Sequence, residues 1–325
     1  MKNFSKKAIS SILSLVIAAS AAVSLPISGS AKGIAHGDVN GDSFVNSSDA
    51  LAVLSYSVGK REFTSEEFQR AEVTADGQVN SSDALDILRY SVGLIKKFRA
   101  SGQVDENDAI AIYNKAIEKL QSSRPSYTFK QTTSTEVSDV KISSNSVFLT
   151  DEKLREMEET VKEENKADPR TYTRIIKQNS ESSAQLMPGT IDASRLSEFA
   201  SVECSIKESG KYSLTIRFKN ETNPDKNSLI VKTLGLPSYE DAKKTLEEES
   251  SMDGVKINID SFNFNYEDCV FFCDINPKTL EITHTYWTLK NPSVSKVTTI
   301  IGLTKITVEM TTNDETTTSY WDFGY

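Results

Sequence analysis

Histidine and cysteine are scarce in this sequence of 325 residues, which holds 2 of the first and 3 of the second. Three cysteines are too few for a disulfide framework. Cys269 and Cys273 stand four apart in CVFFC. On a strand they share a face about 13 Å apart, beyond the roughly 7 Å between Cα atoms that a disulfide spans. Cys204 remains free to pair with either, leaving one thiol over, and all three read first as small buried hydrophobes. A thiolate–imidazole metal site lacks its fourth ligand, because neither His36 nor His284 is grouped with the cysteines. The sequence contains no G-x-S-x-G elbow, no phosphate loop and no H-E-x-x-H pair, so it excludes the chemistries those motifs serve. Positive charge is also in deficit, with 37 Lys and Arg against 46 Asp and Glu and a net charge of −9. Such a surface argues against nucleic acid or anionic lipid as the main partner. It leaves cations, neutral polymers and proteins.

Long apolar runs are missing too, apart from one at the start. Lys2, Lys6 and Lys7 precede an apolar stretch from about Ile9 to Leu25, and Gly29-Ser30-Ala31 offers small residues for cleavage. Residues 1–31 therefore read as an export signal. The run is short and rich in Ala and Ser, below the ~20 apolar residues of a membrane span. With no cysteine near the cleavage point for a lipid anchor, the expected mature chain is secreted and soluble.

What is present, twice, is one phrase. VNSSDALAVLSYSVG (45–59) returns as VNSSDALDILRYSVG (79–93), with 12 of 15 positions identical. Upstream of the first copy, DVNGDSFVNSSD places Asp38, Asn40, Asp42, Asn46 and Asp49 at the first, third, fifth, ninth and twelfth places of a twelve-residue window, with the carbonyl of Phe44 at the seventh. A hard cation needs six or seven converging oxygens, and this is the spacing of a calcium loop. The second window, EVTADGQVNSSD, offers Glu72, Thr74, Asp76, the carbonyl of Gln78, Asn80 and Asp83. Glu72 and Thr74 depart from the usual Asp and Asn or Asp, so the second site is expected to bind less tightly. In the first window Ser43 stands at the sharp turn that glycine usually makes, at a cost of order 1 kcal/mol. A capped Asn/Asp-rich turn is the plain alternative for one loop alone; two in register argue for Ca2+ at two sites. Leu51, Leu54 and Val58 recur at helical spacing and predict a buried helix face. Thr64 and Glu67 have capping-box spacing and predict a short linking helix.

This arrangement, over residues 36–98, resembles the type I dockerin family, whose motif is carried here by GDVNGDSFVNSSDAL. The resemblance implies a small all-α module of two calcium loop-helix motifs that docks to a cohesin module. Cohesins of that kind stand on scaffold proteins of cellulose-degrading assemblies or on the cell surface, so the protein would be extracellular or held at the surface through a scaffold. It further implies that the partner reads Ser47 and Ser48 in the first copy, Ser81 and Ser82 in the second, and Leu54, Ser55, Leu88 and Arg89 along the helices. The near-symmetry suggests docking through either copy.

From residue 99 the composition changes. Ile110, Tyr113, Ile117 and Leu120 predict an amphipathic helix over 105–122, and further helices are expected at 151–165 and from Ser238. Many short strands are expected between and after them, with a hairpin turn at 276–279. The expected fold is multidomain: a signal peptide (1–31), an all-α dockerin (32–98), and an α+β domain (99–325) with a mostly antiparallel sheet and helices on one face. Its general architecture is loosely similar to lipoprotein-carrier folds, without a motif. His284 reads as an exposed strand residue, and the Glu158–Glu164 run as a solvated helix face. Tyr286-Trp287 and Tyr320-Trp321 are candidates for stacking sugars, but neighbours on a strand face opposite ways, so one of each pair belongs to the core. The reading is a docking protein that binds calcium and displays a non-catalytic domain. The alternatives are a polysaccharide-degrading enzyme or a carrier of an apolar ligand, so polysaccharide or an apolar ligand is the expected partner of the second domain.

Overall fold

The computed structural model describes residues 34–164, 169–180, 188–249, 257–301 and 303–325. The export segment expected at 1–31 lies outside them.

The first part is helical. α1 (Ser47–Ser57), α2 (Ser65–Ala71) and α3 (Ser81–Ser91) each begin at a complete capping box, with Asn46, Thr64 and Asn80 as the capping residues. α1 and α3 pack together, and the small core between the loops and helices holds Val39, Ala50, Val53, Val73, Ala84, Ile87 and Phe98. The duplication extends to ring pairs: Tyr56 stacks on Phe63 at 4.5 Å and Tyr90 on Phe98 at 4.6 Å. One expectation is overturned here. Leu51 is 65% exposed, Leu54 39% and Val58 65%, so this stripe is not the buried face of α1. The smaller Ala50 and Val53 are buried instead, because the two helices approach through small side chains.

Among the described residues, the second part is a nine-stranded antiparallel sheet. Its elements are β1 (Gln103–Val104), α4 (Glu106–Ser123), β2 (Ser126–Ser144), α5 (Asp151–Glu164), β3 (Arg170–Ile176), β4 (Phe199–Ile206), β5 (Tyr212–Phe218), β6 (Glu221–Thr222), α6 (Leu229–Leu234), α7 (Tyr239–Glu249), β7 (Ile257–Asn276), β8 (Glu281–Ile301) and β9 (Thr304–Gly324). The strand order is β1-β4-β5-β7-β8-β9-β2-β3, with β6 on β7. The expected short strands are in fact fused into long ones. β7, β8 and β9 are 20, 21 and 21 residues long. Pro292 sits inside β8, where a missing N–H would break a ladder. The break is absorbed locally: Asn265 and Tyr266 make no pairing with β8 at Asn291 and Pro292, and pair with β6 instead.

One face of the sheet is covered. Around α4, Tyr113, Ile117 and Leu120 join Leu214, Ile216, Phe271, Leu289 and Tyr320 in the main core. Around α5, Val161 joins Val140, Ile142, Val297, Val308 and Met310 in a second cluster. Between the two clusters runs a buried polar belt of Thr133, Asp314, Thr316 and Thr318. The three cysteines are free and buried. Burial pushes the Cys204 thiol up to about 12, and Cys269 and Cys273 further.

Candidate cation loops and docking face

Each loop is folded by its own carboxylates. In the first, the Asp49 side chain anchors both ends: Oδ1 accepts the N–H of Val39 at 2.8 Å and of Asn40 at 3.1 Å, and Oδ2 accepts that of Asn46 at 3.0 Å. Asn40 Oδ1 accepts Asp42 N–H at 2.9 Å, and Asp42 Oδ1 accepts Phe44 N–H at 2.8 Å. Alternate residues thus turn their oxygens inward. In the second loop Asp83 repeats the anchor, taking Val73 N–H at 3.0 Å, Thr74 N–H at 3.1 Å and Asn80 N–H at 2.9 Å. Glu72 Oε1 accepts Asp76 N–H at 2.9 Å, and Asp76 Oδ1 accepts Gln78 N–H at 2.8 Å. The Thr74 hydroxyl donates to Asp83 Oδ1 at 3.1 Å, whereas the Asn40 side chain at the same place of the first loop is engaged with Asp42.

The backbone of the two loops matches. The fourth and sixth positions are both left-handed: Gly41 (φ 75°) and Ser43 (φ 72°) in the first, Ala75 (φ 61°) and Gly77 (φ 81°) in the second. Each loop therefore has one glycine and one strained residue, in opposite order.

Among the described residues no three His, Cys, Asp or Glu side chains converge on one point. The donor sets rest equally on Asn, Thr and carbonyl oxygens, as suits a hard cation. One atom marks the fit. Asp38 Oδ2 accepts Ser43 N–H at 3.0 Å, but Oδ1 is buried with no hydrogen-bond partner. An orphaned buried carboxylate oxygen at the first ligand position calls for a cation.

The helices leaving the loops present matching surfaces. Ser47, Ser48, Ser81 and Ser82 are all exposed. Leu54 is 39% exposed and Leu88 38%, and each is flanked by a more open pair, Leu51 with Val58 and Leu85 with Val92. Leu54, expected both on the buried face of α1 and at the docking surface, is exposed along with Leu51 and Val58. The signal against their burial was available, since Ala50 and Val53 form a second apolar stripe on the same helix. Ser55 is half-buried. Arg89, its counterpart, is engaged within the chain: its guanidinium reaches Asp86 at 2.8 Å and Asp108 of α4 at 2.9 Å.

Residues 36–90 match the family model of the dockerin type I domain. This segment is a dockerin. Its family binds calcium and docks to cohesins in cellulosome-like assemblies. No curated protein and no solved structure matches the chain. The dockerin is joined to the sheet by more than its linker: Asp105 Oδ2 accepts Lys96 N–H at 2.7 Å, and Arg89 reaches Asp108 at 2.9 Å.

Of the aromatic pairs outside the dockerin, Trp287 and Tyr320 are core, while Tyr286 and Trp321 point outward and are half-buried. His284 is half-buried rather than exposed, packed beside Phe272 and Tyr286, and burial holds its pKa down. No helix among the described residues is long and apolar enough to cross a membrane.

Proposed function

We propose that this is an exported adaptor. Residues 32–98, with Ca2+ in both loops, dock to a cohesin module of a scaffold or surface protein, and residues 99–325 are carried into that assembly as a non-catalytic binding domain. Asp38, Asn40, Asp42, Asn46 and Asp49, with the Phe44 carbonyl, hold the first ion. Glu72, Thr74, Asp76, Asn80 and Asp83, with the Gln78 carbonyl, hold the second and weaker one. Ser47, Ser48, Leu54 and Ser55, and Ser81, Ser82 and Leu88, are the partner-facing residues.

The observation that carries this reading is the pair of exposed apolar stripes on α1 and α3, which a stable small module does not leave open without a partner. Calcium supports it by fixing the loops from which both helices start. The polar belt across the covered face of the sheet counts against a carrier of an apolar ligand. Titration of the full chain against a panel of cohesin modules, with calcium and then with chelator, tests the reading. Heat on mixing with at least one module, abolished by chelator, is the expected result; silence across the panel in calcium would sink it.

A further inference from the structure

The sheet has a second face, and it carries a cleft of about 930 Å³ across β4, β5, β7 and β8. Strand register builds its floor. Thr215 of β5 lies opposite Phe272 of β7, and Phe272 opposite Tyr286 of β8. The Phe272 and Tyr286 rings are stacked at 4.9 Å, with the His284 ring 5.9 Å and 5.7 Å from them. Lys207 Nζ stands 5.2 Å over the Phe272 ring, held there by Asp274 at 2.7 Å. None of these rings belongs to a core cluster, and each is half-buried, so core packing does not account for the platform.

The charge of the cleft runs against that of the chain. Four cations (Lys97, Lys207, Arg217, Lys290) and two acids (Glu203, Asp268) line it. Lys207 and Lys290 are neutralised by Asp274 and Asp268. Lys97 and Arg217 make no ion pair among the described residues. Arg217 is exposed and close enough to Tyr286 to oppose the upward push that burial gives its hydroxyl.

Flat apolar rings ask for a ligand with flat apolar faces. A planar guanidinium without a partner asks for a carboxylate, which it grips through two parallel bonds. Sugar rings that carry carboxylates supply both. We propose that this cleft binds an acidic polysaccharide, a sugar ring stacked on Tyr286, which Phe272 backs from the other side, and a uronate carboxylate held by Arg217. Two unpaired cations match spaced carboxylates and fall short of the continuous basic track that a phosphodiester chain requires. The proposal rests on residues 99–325 being a binding domain and is independent of cohesin docking.

The test is electrophoresis of the full chain through native gels containing polygalacturonate or a neutral β-glucan. Chelator is present throughout, which removes calcium bridges between uronates and the dockerin and takes docking out of play. Retardation is expected in polygalacturonate only. Tyr286→Ala and Arg217→Gln should each weaken it by roughly ten-fold, while Tyr286→Phe keeps it. Circular dichroism of the variants reports whether they fold, and Arg217→Gln, at an exposed site, leaves packing untouched. No retardation, equal retardation in the neutral gel, retention indifferent to both substitutions in folded protein, or displacement by a single-stranded oligonucleotide would each overturn the proposal.

Discussion

Arg89 and Asp108 join the dockerin to the sheet domain: Nη2 of the first lies 2.9 Å from Oδ1 of the second, across the junction between α3 and α4. The same guanidinium holds Asp86 at 2.8 Å. In the first repeat Ser55 takes the place of Arg89 and Ala52 that of Asp86, so no such clamp exists there. One substituted pair makes a nearly symmetric module asymmetric. The α1 face stands free, while the α3 face is tethered to its neighbour.

Replacing Arg89 by Ser, its counterpart, should release that tether. Both partners are partly solvated, so the expected loss of unfolding free energy is below about 1 kcal/mol, read from urea denaturation. Small-angle scattering should show a broader distribution of distances between the two parts. An unchanged distribution would show that the Asp105–Lys96 bond and the linker suffice alone.

The two apolar stripes can be separated by mutation. Leu51→Asp with Leu54→Asp, or Leu85→Asp with Leu88→Asp, changes exposed positions and should leave stability within about 0.5 kcal/mol. Each double variant alone should retain cohesin binding within a few-fold, and the quadruple variant should lose it. Complete loss from the first pair alone would mean that only α1 docks.

The strained residue in each loop is open to relief. Ser43→Gly and Ala75→Gly remove a left-handed non-glycine worth about 1 kcal/mol, partly offset by the added freedom of the unfolded chain. Calcium affinity should rise about three-fold in each case, measured by competition with a chromophoric chelator. Gly77→Ala should have the opposite effect.

Asp314 makes stability depend on pH. It is 1% exposed, and burial pushes its pKa from the ordinary 3.8 to about 8, opposed only by a hydrogen bond with the Thr135 side chain. Since the folded value lies above the unfolded one, the stability of the neutral acid is fully present below about pH 4. It is lost as pH rises through about 8. Asp314→Asn should flatten that slope and stabilise the protein at pH 8 by at least ~2 kcal/mol. Thermal melting of both proteins across pH 4–9 measures it.

The dockerin was readable in the sequence because short-range rules govern it. Twelve-residue loops, capping residues at Asn46, Thr64 and Asn80, and a near-verbatim repeat all act within a few residues. What failed was the burial of Leu51, Leu54 and Val58, because periodicity identifies an apolar stripe without saying what covers it. In the sheet domain α4, α5 and α7 were foreseen to within a residue or so, and the turn at Asn276–Thr279 closes as expected, with Leu280 N–H on Asn276 O at 2.7 Å; α6 was not, because the β-branched run in SLIVKTLG reads as one of the short strands and is a helix capped by Ser228. The long strands were not foreseen. Asn291-Pro292 and Asn313-Asp314 look like turns, and only tertiary pairing, β6 taking up the slack at Asn265 and Tyr266, lets the strand run through. The aromatic platform was half visible. Alternation correctly assigned one member of each Tyr-Trp pair to the core, but only register brings Phe272 to Tyr286.

The pairing of β2 with β9 sets the order in which the chain can finish folding. Phe129 lies opposite Tyr320, and Ser144 opposite Ile306. β7, β8 and β9 follow one another as hairpins and can zip in sequence, but β2, far earlier in the chain, meets its β9 partner only once the last strand of the sheet is in place. Until then a 19-residue strand stands with an open edge. A chain that loses β9 therefore forfeits far more than that strand, and until β9 docks, β2 is the part most in need of a chaperone.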